Sequence, residues 1–119
     1  MNSFLPIGSV LTLKNSKLKN KRYVILGYLP TISEEQPKIF DYLCYPYPEG
    51  IKSKKKYYVN EDDIEDIYYI GYQSEYNDKL LKFFKEQSTV LKNGTNIENI
   101  SLDLILKFND RYGKENRNG

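Results

Sequence analysis

An α+β fold, a small five-stranded and mostly antiparallel curled sheet with two C-terminal helices, is what this sequence predicts, on three observations. Five short segments rich in Val, Ile, Leu and Tyr fill the first 72 residues, each bounded by turn residues. After Tyr72 the apolar spacing turns from strand-like to helical. A chain of 119 residues that is 39% hydrophobic has the size of one domain around one modest core.

The strand segments are "SVLTLK" (9–14), "RYVILGYL" (22–29), "IFDYLCY" (39–45), "YYV" (57–59) and "DIYYIGY" (66–72). The second is apolar on both parities, with Tyr23, Ile25 and Leu29 on one face and Val24, Leu26 and Tyr28 on the other. That pattern predicts a strand covered on both sides. "NSKLKNK" fits a solvated hairpin turn, and "PTISEEQP", between Pro30 and Pro37, a longer loop. "NEDDIED" reads as one capped helical turn that delivers Ile64 to the core, with Asn60 as cap and Glu61, Asp62 and Asp63 at the positive end. It lacks the spacing and the glycine of a calcium loop, so it is not read as a metal site.

Ser74 is the expected cap of a helix carrying Glu75 and Asp78 in its first turn, then Tyr76, Leu80, Phe83 and Phe84 at helical spacing, and ending at Asn93–Gly94. A second helix, capped near Asn96 or Asn99, carries Ile100, Leu104, Ile105, Phe108 and Tyr112. Residues 1–72 are thus expected to form a β domain, and 73–113 a helical extension packed on it as one folding unit. The tail 114–119 reads as disordered. Short strands joined mostly by short turns favour a sheet curled toward an SH3-like barrel, which removes open edges; a meander sandwiched by the helices is the alternative.

Composition narrows the chemistry. The chain has no histidine and one cysteine, Cys44, set in "IFDYLCY", where a small buried hydrophobe is the expected role. No Ser-His-Asp or Cys-His arrangement and no ordinary zinc site can be assembled, and neither a phosphate-cradling loop nor a dinucleotide fingerprint is present. The expectation is a protein that is not an enzyme and needs no cofactor or metal. No apolar run approaches the roughly 20 residues that span a bilayer, and the N-terminus does not resemble a signal peptide, so the chain reads as soluble and cytoplasmic.

Two features suggest partners instead. Lys14, Lys17, Lys19, Lys21 and Arg22 surround the first turn, and Lys52, Lys54, Lys55 and Lys56 follow the corner "YPYPEG" (45–50). On a small barrel with interleaved tyrosines these could bind single-stranded nucleic acid, but a net charge of +2 argues against it. The corner is either a strand exit whose prolines, lacking a donor, lie on an edge or outside the sheet, or a surface that presents rigid tyrosines to a protein. The residues assigned to partner binding are Tyr45, Tyr47, Glu49, Tyr69, Tyr72, Phe83, Phe84 and Phe108.

Taken in order, "LPIGSVLTLK", "KRYVILGYLP", "FDYLCYPYPEG" and "VNEDDIEDIYYIGYQSEYNDKLLKFF" resemble a family of small proteins encoded beside LXG-toxin genes of type VIIb secretion systems in Gram-positive bacteria. The likeness covers roughly residues 5 to 84. Leu5, Pro6, Gly8, Asp41, Tyr42, Pro46, Tyr47, Pro48, Glu49, Gly50, Asp62, Asp63, Ile64, Gly71 and Tyr72 carry it. The resemblance implies a non-enzymatic chaperone or accessory factor that binds a cognate LXG toxin and keeps it stable before export. An immunity protein that neutralises the toxin, or a small-barrel nucleic-acid module, are the alternatives.

Overall fold

The computed structural model describes residues 3–32 and 38–92. Along the chain lie β1 (Val10–Leu13), β2 (Arg22–Tyr28), β3 (Thr31–Ile32), β4 (Lys38–Ile39), β5 (Tyr42–Tyr47), a 3-10 turn at Gly50–Ser53, β6 (Tyr57–Val59), a second at Glu61–Asp63, β7 (Ile64–Tyr69) and α1 (Glu75–Lys92). Five strands make one antiparallel sheet in the order β6-β5-β2-β1-β7, and β3 pairs with β4 apart from it. The fold is α+β with a five-stranded sheet, as the sequence predicts. The second predicted helix, with Phe108, and the tail lie outside the described residues. The loop expected over "PTISEEQP" is partly strand, since Thr31 pairs with Ile39 and Ile32 with Lys38.

Connectivity forces the sheet to curl. β6 and β7 are consecutive in sequence yet occupy opposite edges. A flat sheet would hold its outer strands roughly 19 Å apart, and residues 60–63, wound as a 3-10 turn rising about 2 Å per residue, cannot reach that far. The edges must therefore approach one another. The Lys14 N–H donates to the Asp63 carbonyl at 2.9 Å, fastening the end of β1 to this turn. Within the turn, the Asp63 carboxylate accepts the Asn60 N–H at 2.9 Å.

The two-sided pattern of the second strand has a different cause from the one expected. A bulge between Ile25 and Gly27 shifts the register against β5. Tyr23 and Ile25 point into the core, Leu26 is left 41% exposed, and the extra residue returns Tyr28 to the core side. β2 is therefore buried on one face and partly open on the other. Pro46 takes the edge position expected of it: β5 continues through it to Tyr47, two residues beyond the predicted strand end, with Pro46 opposite Tyr23. β6 pairs with β5 no further than Cys44, so the second half of β5 is an edge on that side, where proline is tolerated.

The core joins the N-terminal arm, the concave face of the sheet and α1. Phe4, Leu11, Ile25, Tyr42, Cys44 and Val59 are sealed with Leu81, Phe83 and Leu91. Full burial of each large side chain contributes about 1.5–3 kcal/mol. α1 begins as its sequence predicts, with the Ser74 hydroxyl accepting the Asn77 N–H at 3.1 Å. The arm is held by polar contacts as well: the Tyr42 hydroxyl accepts the Leu5 N–H at 2.9 Å, and the Tyr28 hydroxyl donates to the Leu5 carbonyl at 2.6 Å. Where the arm crosses the end of β7, Gly71 lies so close that an added Cβ would stand 2.1 Å from the Ile7 carbonyl oxygen. The Ser9 hydroxyl accepts the Gly71 N–H at 3.0 Å.

Candidate functional site

The Asp41 and Glu61 carboxylates and the Cys44 thiol are occupied in holding the fold. Asp41 Oδ1 accepts the Ser88 hydroxyl at 2.6 Å and the Lys92 ammonium at 2.7 Å, while Oδ2 accepts the Glu61 N–H at 2.9 Å. Glu61 in turn pairs with Lys85 at 2.5 Å. This network stitches α1 to the turn before β7. Cys44 is fully buried, and burial pushes its thiol up to about 12, so it stays protonated at neutral pH. Among the described residues no group of three or more His, Cys, Asp or Glu is placed to hold a metal ion, and no helix is long and apolar enough to cross a membrane.

The outer side of the sheet is different in kind. Tyr47 from β5 and Tyr68 and Tyr69 from β7 gather with Val10, Val24 and Gly8 around an open hollow of about 410 Å³. The Arg22 guanidinium lies over the Tyr68 ring, 4.4 Å from its centre, which fixes one wall. Beyond the end of β7, Ile70 and Tyr72 are also exposed, Tyr72 to 82%, while Ile67 lines a separate, polar hollow with Glu61, Asp62 and Lys85.

Of the residues the sequence assigned to partner binding, Tyr47 and Tyr69 meet at this hollow, and Tyr72 is exposed three residues beyond Tyr69. Glu49 is exposed beside it, and its ion pair with Lys21 at 2.6 Å holds its carboxyl below the usual range. Tyr45 and Phe83 are buried, which leaves neither with area to offer. Tyr45 shares its parity with Tyr47, and the 3-10 turn Gly50–Ser53 folds back against β5. Phe84 is half-buried against the Tyr28 ring. The sequence reading missed Tyr68, Ile67, Ile70 and Val24. Its available signal was the "IYYI" run, apolar on both parities at the strand next to the helix.

The two edges of the sheet show why this surface is unusual. Exposed strand edges are ordinarily shortened or charged to prevent pairing with other chains. β6 is three residues long and preceded by Lys54, Lys55 and Lys56. β7 carries Glu65 and Asp66 in its first half, but from Ile67 to Tyr69 no charge protects it and each residue is exposed. Among the described residues its outer edge has no partner strand.

No curated protein and no solved structure matches this chain. Residues 4–80 match the family described as Domain of unknown function (DUF4176), and because that match spans more than half of the sequence, the chain belongs to this family.

Proposed function

We propose that the protein is a non-enzymatic, cytoplasmic accessory factor that binds a cognate LXG toxin and stabilises it before type VIIb export. The observation that carries binding is the uncharged half-edge of β7 joined to the tyrosine hollow, an apolar interface with strand-pairing groups along its border. An extended toxin segment adds to β7 as a further strand, its main chain pairing with Ile67–Tyr69 and a side chain entering the hollow. Leu81, Phe83 and Leu91 of α1 are buried in the core, with Leu80 and Phe84 packed against it, so strand addition is favoured over packing against that face of the helix. The identity of the partner rests on the resemblance of the "LPIGSV", "YPYPEG" and "IYYIGY" segments. Binding the competent toxin stabilises it by mass action, by about 2.7 kcal/mol at a concentration 100 times the dissociation constant.

The test is co-expression with the neighbouring LXG toxin in a catalytically inactive form. Soluble toxin that accumulates only in the presence of this protein, and co-purifies with it, is the expected result. Unchanged toxin levels without co-purification contradict the proposal. A complex that leaves toxin abundance unchanged but abolishes the activity of mature toxin identifies an immunity protein instead.

A further inference from the structure

α1 and the N-terminal arm fill one end of the curled sheet; the opposite end is open. There the connection between β1 and β2 and the segment before β6 enclose a cavity of about 540 Å³. Leu13, Tyr23 and Val59 form apolar lining continuous with the core, and Leu18 and Tyr57 also line the space. The Tyr23 and Tyr57 rings meet edge to face at 4.8 Å, and a hydrogen bond of 2.9 Å between the Tyr23 and Ser16 hydroxyls fixes the first of them. A pre-formed, largely apolar cavity of this size is the ordinary setting of a small-molecule site.

Its polar groups define the ligand. Lys17 and Lys55, distant in sequence, both line the cavity, and Lys14, Lys19, Lys52, Lys54 and Lys56 belong to the same two segments. One carboxylate, that of Asp63, also lines it and accepts the Asn60 N–H. The mouth is therefore cationic in balance, over an aromatic and aliphatic interior. We infer that this cavity binds a small amphipathic anion, with an aromatic or branched apolar body against Tyr23 and Tyr57 and one carboxylate, sulfonate or phosphate between Lys17 and Lys55. The site is separate from the β7 face and does not depend on the toxin reading.

The probe is 8-anilinonaphthalene-1-sulfonate, an aromatic anion of this class, titrated into the full chain and followed by amide NMR shifts. Saturable binding is expected, with the largest shifts at Leu13, Lys17, Tyr23, Lys55, Tyr57 and Val59. Reversing the mouth with K17E and K55E together should weaken binding at least tenfold while leaving the denaturation midpoint unchanged; K17Q with K55Q serves if charge reversal perturbs folding. Shifts centred on Ile67–Tyr72, affinity indifferent to the lysine substitutions, or no saturation would each overturn the assignment.

Discussion

At the end covered by α1, Tyr42 and Phe83 are sealed from water, and the Tyr42 hydroxyl and every carboxylate oxygen of Asp41 have hydrogen-bond partners. Along β7, Tyr68 and Tyr69 are 50% and 62% exposed, and the strand that carries them ends the sheet. Aromatic side chains of the same kind thus do two jobs. At the closed end they supply the apolar burial that offsets the entropy of ordering the chain. On β7 they add little burial to the folded state, so their area is available to another molecule.

That contrast is sharpened by substitution at the closed end first. Phe83→Ala should cost about 3–5 kcal/mol in chemical denaturation, because it removes a fully buried ring and leaves a cavity between α1 and the sheet. A value near zero would mean that α1 does not seal the core. Tyr42→Phe keeps the ring but strips the acceptor from the Leu5 N–H, and should cost about 1–3 kcal/mol by the same measurement.

Alkaline pH probes the same end without mutation. Burial raises the Cys44 thiol from 9.0 to about 12 and lifts the Tyr28 and Tyr42 hydroxyls above 10.0. The unfolded chain releases these protons first, so above pH 9 the native state holds more protons and stability falls as pH rises. The stability these groups contribute is complete below about pH 9 and is lost progressively toward pH 12, at no more than about 1.4 kcal/mol per pH unit for each group. A denaturation midpoint that is flat from pH 8 to 11 would break the account of a sealed closed end.

Much of this arrangement is legible in the sequence. The Ser74 cap, the acidic turn after Asn60 and the existence of five sheet strands follow from local rules that the structure obeys, although β5 starts at Tyr42, not at the expected Ile39, and β7 ends at Tyr69, not at the expected Tyr72. What local rules miss is long-range. The bulge at Leu26–Gly27 depends on the register with β5, and the tolerance of Pro46 depends on where β6 stops. The site was half legible for a similar reason. Tyr47 and Tyr69 were identifiable as tyrosines near turns, but Tyr45 and Phe83 carry the same chemistry and differ only in what the fold lays over them. The "IYYI" pattern looks like a strand buried on both faces until the strand order places it at an edge.

The smallest expected effect on stability belongs to the β7 face, and it tests the central claim most directly. Tyr69→Ala and Tyr72→Ala together should change the unfolding free energy by no more than about 0.5 kcal/mol, as surface substitutions do. Measured in parallel with the inactive LXG toxin, the same variant should lose co-purification and the accumulation of soluble toxin. Retained co-purification at wild-type level, or a collapse of stability comparable with that of Phe83→Ala, would show that this face builds the fold and does not serve a partner.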